Sequence, residues 1–443
     1  MASAGDEASA RLRAAVPPGV REVCDVLHHA GHEAVAVGGA IRDALLGRDA
    51  GDWDVATSAR PEQVTALFRR TIPTGIQHGT VTVLVGRGDG REAIEVTTYR
   101  GEGAYHDGRR PESVVFGVPL VEDLARRDLV VNAIAWDPVT GELHDPFDGV
   151  GDIAARRLRA VGDPIARFRE DGLRVMRAIR FAATLGFALD PATEAAIPAA
   201  LPSLAKVSRE RVKVELDKLL AAPSPGAALE IARRTGVLAQ EVPEAVRGDA
   251  EAWTRRVAWI EALRDKDLRM ATLLSGLSDG SWACSLDPAV ITTGDAAAGA
   301  AADAALKRLK AANDERDRVV RLVKVAWAGR APLVEVTVRR LLASIGRARG
   351  DDAVALWQAR AVAMPGDAAA DVAATARAIL ARRDPLATGD LAVTGAVLMQ
   401  ELGLPPGREI GRLLDVALQA VLDDPSLNDR GRLLELLRSR AGA

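Results

Sequence analysis

Between about Arg21 and Arg100 the chain alternates short apolar runs with amphipathic ones. A helical period over about 20–30 precedes the apolar run "AVAVGG", which reads as a buried strand, and "IRDALLG" then returns to helical spacing until Gly47 stops it. The next segment, "GDWDVAT" at 51–57, reads as a strand. In an extended chain Asp52 and Asp54 emerge on one side, with Trp53 and Val55 on the other. Pro61 opens another helix, and "TVTVLVG" and "EAIEVTTYR" flank "RGDG" as the arms of a hairpin in a mixed sheet. From about Leu120 onward nearly every periodic segment is helical, with Pro- or Gly-bearing joints near 162–164, 202, 223–226, 331, 364–366 and 404–407. The pattern predicts an α+β chain, an α/β head leading into a long all-α remainder.

With 443 residues, 48% hydrophobic and 27% charged, about three globular units are expected, and no run of eighteen apolar residues is present to span a membrane. The start, "MASAGDEASARLR", lacks the apolar core of a signal peptide and reads as a flexible tail over residues 1–20. The two cysteines, Cys24 and Cys284, lie far apart in no metal-ligand spacing, which fits a reducing cytoplasm. A net charge of −3 gives no global attraction to nucleic acid, so such a partner needs a local basic surface. One lies between Arg156 and Arg180, where eight arginines face only Asp163, Glu170 and Asp171. The last histidine is His144, which leaves the C-terminal two thirds without a His-based metal site. His28, His29 and His32 are interrupted by Gly31 and read as ordinary surface or core histidines.

Two carboxylates on one strand face repel and raise each other's pKa unless a cation joins them. Asp52 and Asp54 suit Mg²⁺, which takes a few carboxylates and completes its octahedron with water and substrate phosphates. Glu95, in "EAIEVTTYR", adds a third carboxylate if the two strands are neighbours, and such a set supports metal-assisted attack at phosphorus. The competing reading makes Asp52 a turn residue and Asp54 a solvated strand residue. Upstream, in "VGGAIRD", Gly38 and Gly39 follow a strand and precede a helix. Backbone N–H groups there suit a triphosphate, with Arg42 one turn in, or the glycines merely make a tight turn. The run "GRGDG" at 86–90 reads as a hairpin turn.

In "RFREDGLRVMRAIRFAATLGF" (167–187), Asp171, Arg174 and Arg177 recur every three residues, while Leu173, Met176, Ile179 and Ala183 line the other flank and Arg180 drifts toward it. The modest reading is a row of salt bridges worth about 0.2–0.5 kcal/mol each. The chemical reading uses hydrogen-bond polarity. Cytosine and adenine offer an amino donor beside a ring-nitrogen acceptor, whereas uracil and guanine present a carbonyl beside an N–H. A carboxylate next to a guanidinium, such as Asp171 with Arg174, fits the first pair and mismatches the second. Each unpaired buried group costs about 1–3 kcal/mol. Arg177 and Arg180 would stack on the nucleotide or balance its charge.

Taken in order, "VGGAIRD" with "DWD", "YHDGRRPESVVF", "EDLARRDLVVNAIAWD", "DPFDGVGDIAARRLRAVGDP", "REDGLRVMRAIRFAATLGF" and "SRERVKVELDKLL" resemble the class II tRNA nucleotidyltransferase and poly(A) polymerase family over roughly residues 33–220. The resemblance implies a DNA polymerase beta-like nucleotidyltransferase head at 21–150, a helical neck at 151–220, a body at 221–330 and a tRNA-binding tail at 331–443. It places the metals at the positions of Asp52 and Asp54. Nucleotide contacts fall at Gly39, Arg42 and Arg127, ribose recognition at Asp128 and Asn132, and an amino-acid template for the base at Asp171 and Arg174, with Arg177 and Arg180 alongside. The implied reaction is Mg²⁺-dependent addition of C, C and A to the tRNA 3′ end from CTP and ATP by a cytoplasmic monomer or homodimer. Poly(A) addition or A-only addition is the alternative within the family, and an inactive helical RNA-binding protein the more distant one. The stretch "YRGEGAYHDGRRPESVVFG" resembles the flexible element associated with the final A, and "LAVTGAVLMQELGLPPGREIGRLL" resembles the family's tail.

Overall fold

The computed structural model describes residues 4–86, 91–102, 114–278, 294–329 and 333–440. The expected "RGDG" turn, most of the "YRGEGAYHDGRRPESVVFG" element and Cys284 lie outside the described residues. The chain divides into two compact units, one of Met1–Leu219 with Glu230–Gln240 and one of Leu220–Leu229 with Glu241–Ala443.

The first unit is built on a mixed sheet. Its early elements run α1 (Ala4–Ala15), α2 (Pro18–His29), β1 (Ala34–Val37), α3 (Gly39–Leu45), β2 (Asp54–Thr57), α4 (Pro61–Leu67), β3 (Thr71–Gly75), β4 (Thr80–Val85) and β5 (Glu92–Thr98). Then come a small antiparallel pair, β6 (Arg100–Glu102) with β7 (Val114–Phe116), helix α5 (Leu120–Ala125), and the short strands β8 (Ala135–Trp136) and β9 (Leu143–His144). The seven-stranded sheet is ordered β3-β4-β5-β2-β1-β8-β9. Its pairings are antiparallel except β2 with β5, which is parallel and sets Asp54 opposite Glu95. Strand alternation then sorts the faces. Val35, Val37, Ala56 and Tyr99 pack with Leu124, Val130 and Ala133. Ala36, Val55 and Val96 face the other way and are fully buried, on the side where α2 brings Val20, Val23, Cys24 and Leu27 at helical spacing.

Helices follow: α6 (Gly149–Ala154), α7 (Pro164–Glu170), α8 (Leu173–Phe181), a π-helical turn Ala182–Gly186, α9 (Pro191–Leu204) and α10 (Arg209–Ala221). The joint expected near residue 202 is instead helix interior, because α9 contains both Pro198 and Pro202. Pro202 lacks the N–H that would reach the carbonyl of Pro198, and the burial of Ala196, Ile197, Ala200 and Leu204 offsets the lost bond. Asp190 caps this helix by accepting from the N–H groups of Ala192 (3.1 Å) and Thr193 (3.3 Å).

The second unit contains no strand among its described residues. Its helix ends are satisfied by buried arginines. Arg269, 1% exposed, donates to the carbonyls of Leu220, Ala222, Ile260 and Leu263, and Arg360, fully buried, to those of Ala326 and Ala328. A guanidinium suits this because its five donors fork across several orphan carbonyls at once. No helix among the described residues is long and apolar enough to cross a membrane.

The N-terminus departs from the expected flexible tail. Residues Ala4–Ala15 form α1, which packs against α3; Leu12 is fully buried and Arg11 donates to the carbonyl of Leu45 at 3.0 Å. The segment presents only Ala8 and Leu12 at helical spacing, too weak a period to read beforehand. Leu12→Ala is expected to destabilise the first unit by about 2–5 kcal/mol in urea titration; a change below about 0.5 kcal/mol, the range of surface substitutions, would return the segment to a tail.

Candidate active site

Strand β1 runs out at Val37, and the chain turns through Gly38, whose φ of +83° favours glycine, into α3. Because Val37 pairs with Asp54, β1 offers nothing for the residues before Asp54 to pair with. The strand therefore begins at Asp54, and Asp52 precedes it as an exposed residue rather than a strand residue, with Trp53 buried between them. On its other side Asp54 stands opposite Glu95 in the parallel register, so the two strands are the neighbours that a third carboxylate requires. Burial first, then the charges of Glu95 and Asp52 against the opposing pull of Arg127, push the Asp54 carboxyl up to about 6.

The segment after α5 supplies the next groups. Asp128 is buried and accepts from Leu129 N–H (2.8 Å), Asn132 Nδ2 (3.1 Å) and Arg177 Nε (2.7 Å). Burial alone would raise its pKa, but the Arg177 charge and these hydrogen bonds bring it down to about 2. Asn132 also accepts from Arg42 Nη1 at 2.5 Å, while Asp43 holds the rest of the Arg42 guanidinium at 2.8 and 2.9 Å. Arg127 reaches the carbonyl of Asn132 (3.4 Å) and the carboxylate of Asp123 (3.5 Å), and its Nε is buried without a partner among the described residues.

On the facing helix the expected series is only partly helical. Arg174, Arg177 and Arg180 share α8, but Asp171 sits in the joint after α7 with extended backbone (φ −136°), accepting from Leu173 N–H and from Arg211 Nη2, both at 3.0 Å. The joint is forced by a close approach. A Cβ on Gly172 would stand 2.3 Å from the carbonyl carbon of Ser203, so the chain passes there only as glycine. Arg174 is held by Glu170, the carbonyl of Arg167 (3.1 Å) and the carbonyl of Arg126 (2.8 Å). Arg180 pairs with Glu215 at 2.6 Å.

These elements border one cavity of about 500 Å³. Gly38, Gly39, Arg42 and Asp54 line it from the head, Arg127, Asp128 and Asn132 from the segment after α5, Asp171 from the joint after α7, and Arg174, Arg177 and Arg180 from α8. Asp52 and Glu95 are not among its lining residues, although their charges act on Asp54. Arg126, Leu173, Phe181 and Arg211 also line it and were not anticipated. Arg211 lies in "SRERVKVELDKLL", which carried a resemblance but no role, and Phe181 reads in sequence as one more apolar residue. A larger cavity, about 940 Å³, opens beside His28, Glu33 and Asp137, and no arginine among the described residues lines it.

Among the described residues no three His, Cys, Asp or Glu side chains close into a ready metal cage. That suits Mg²⁺, which binds through one or two carboxylates and completes its shell with water and substrate phosphates. The Asp54 carboxyl, raised first by burial and then by the charges of Glu95 and Asp52, fits such a cation.

Comparison with known proteins resolves which chemistry this geometry belongs to. Residues 34–159 match the Poly A polymerase head domain, 186–247 the model described as "Probable RNA and SrmB- binding site of polymerase A", and 291–437 that of tRNA nucleotidyltransferase domain 2. The CCA-adding enzyme of Geobacillus thermodenitrificans is 37% identical over 421 residues, covering 94% of this chain and 95% of that one. The chain belongs to the CCA-adding enzyme family. The Geobacillus stearothermophilus CCA-adding enzyme is 52% identical over 207 residues, 47% of this chain and 50% of that one. The crystal structure of the Bacillus stearothermophilus CCA-adding enzyme in complex with CTP superimposes with a TM-score of 0.71 at 34% identity, covering 96% of this chain and 98% of that one. The polymerase-beta-like head followed by a mostly helical remainder is therefore the fold of this family.

A carboxyl whose pKa is raised in the folded state contributes stability at low pH and loses it as pH rises from about 4 through about 6, because the folded form binds the extra proton. Metal-free Asp54→Asn is accordingly expected to be more stable than the parent at pH 8, by on the order of 1–3 kcal/mol, with the difference closing below about pH 4. Chelator-treated protein unfolded in denaturant across that range provides the check, and a pH-independent difference would contradict the crowding of Asp54.

Proposed function

We propose that the cavity binds CTP and ATP in turn and that this chain adds C, C and A to the 3′ end of tRNA. The observation that carries this reading is the shared cavity: Asp54 and the pair Asp171 and Arg174 line the same open cleft of about 500 Å³. One bound nucleotide can then present its α-phosphate to the carboxylates and its base to that pair. Asp52 and Asp54 would hold Mg²⁺, which when bound supplies charge neutralisation at the phosphates and lowers the pKa of an attacking hydroxyl. In the reaction the tRNA 3′-oxygen forms a bond to the α-phosphorus, the bond from that phosphorus to the bridging oxygen breaks, and pyrophosphate leaves.

The chain's own groups divide the remaining work. Arg42 and Arg127 meet the negative triphosphate beside the Gly38–Gly39 turn, and the buried Nε of Arg127, without a partner among the described residues, suits an anionic oxygen there. Asp128 and Asn132 recognise the ribose. Ionised Asp171 retains acceptor capacity beyond its bonds to Leu173 and Arg211, and accepts from the amino group of cytosine or adenine. Arg174 donates to the ring nitrogen. Uracil would set its carbonyl against the carboxylate and its N–H against the guanidinium, leaving both unpaired at about 1–3 kcal/mol each. The helical segments beyond the head hold tRNA by phosphate contacts and shape.

Incubation with Mg²⁺, single nucleotides or their mixture, and tRNA truncated at its 3′ end is expected to give three defined additions, two C and one A. A long ladder of A would mark a poly(A) polymerase instead, and no incorporation would remove the enzymatic reading. Asp171→Ala is expected to relax discrimination against UTP by about tenfold or more while CTP binding weakens less, in line with the cost of one unpaired buried group. Unchanged selectivity in that variant would contradict the role given to Asp171.

A further inference from the structure

Three of the arginines that line the cavity gather on a single aromatic ring. The guanidinium carbons of Arg180, Arg42 and Arg177 lie 3.7, 5.0 and 5.5 Å from the centroid of Phe181, all within the range of cation–π attraction. Three like charges so close repel one another, and the structure offsets this from two directions. On the outside each has its own polar partner, Asp43 and Asn132 for Arg42, Asp128 for Arg177 and Glu215 for Arg180. On the inside all three lie within cation–π distance of the Phe181 ring, whose faces carry the negative end of its quadrupole and which is 7% exposed and lines the cavity.

The three arginines come from separate parts of the site. Arg42 belongs to α3, beside the Gly38–Gly39 turn, whereas Arg177 and Arg180 belong to the selector helix α8. Phe181 is the last residue of α8 and is followed directly by the π-helical turn Ala182–Gly186. Two carbonyls of that turn, of Thr184 and Leu185, accept from Arg48 of the segment after α3 at 3.2 and 3.3 Å. The ring is thus pinned at the one point where the phosphate side and the base side of the cavity meet.

We propose that Phe181 is a positioning residue for nucleotide selection: its π face sets the spacing between Arg42 and the Arg177–Arg180 pair, so that a triphosphate and a base are gripped in one register. The inference rests on the nucleotide-cavity reading and adds to it a residue of no hydrogen-bonding capacity.

Substitution separates the π face from mere filling of space. Phe181→Leu and Phe181→Met keep an apolar side chain and remove the aromatic face, and Phe181→Tyr keeps it. The leucine and methionine variants are expected to raise KM for CTP and ATP about tenfold, the equivalent of roughly 1.4 kcal/mol of cation–π attraction, and to narrow the preference for CTP over UTP. Their kcat at saturating nucleotide should fall less, and Phe181→Tyr should restore both KM and selectivity. CTP titration calorimetry gives the same comparison without turnover, and melting temperatures show whether each variant is folded. Leucine and methionine variants that match the parent in CTP affinity and selectivity would overturn the proposal, as would a tyrosine variant that loses as much as they do. Parent protein that neither binds CTP nor extends tRNA would instead remove the underlying function, which keeps the two failures apart.

Discussion

An ion pair between the buried carboxylate of Asp128 and the partly exposed guanidinium of Arg177 ties the walls of the site together. It joins the segment after α5 to the selector helix at 2.7 Å, and Arg174 doubles the connection by donating to the carbonyl of Arg126. Such a pair is weak evidence for net stability, because desolvation consumes most of the Coulomb gain. Its consequence is positional. It holds α8 against the head, so that Asp54 on one wall and Asp171 on another line one cleft. Asn132 extends the same network to Arg42, which ties the glycine turn into it as well. Under the proposed function, base reading and phosphate chemistry share this one network.

Much of this was legible in the residues, for reasons that differ from place to place. An apolar run announced β1 and the alternating pattern β5, while the strand expected over 51–57 begins only at Asp54, which leaves Asp52 outside it. Glu95 could be tied to Asp54 only if two strands were neighbours, and the parallel pairing of β2 with β5 supplies that. Asp171 was found by its spacing to Arg174 and Arg177, yet its backbone is extended rather than helical, because the close passage of Gly172 over Ser203 depends on a segment thirty residues away. Helix α1 was missed since alanines carry little apolar signal, and the prolines of α9 pointed to a joint that core burial overrides. Phe181 and Arg211 could not be singled out, because their significance lies in what they touch across the fold.

The site is also where local rules of stability are broken. Asp54 is held beside two other carboxylate charges, and several arginines face into one small cavity. Elsewhere the same chain spends its arginines differently. In the second unit Arg269 and Arg360 are buried on carbonyls at helix ends, and Arg360 also pairs with Asp367. The contrast is in keeping with the proposed nucleotide and metal site, since local rules of stability are broken where function opposes them.

The most direct measurement is a crystal structure of the protein with Mg²⁺ and a CTP analogue that cannot release pyrophosphate. The cytosine amino group is expected within hydrogen-bond reach of the Asp171 carboxylate, with the α-phosphate of the same molecule beside Asp54. A base lying outside the cavity, or an α-phosphate remote from Asp54 while the base meets Asp171, would contradict the shared network from which the mechanism is built.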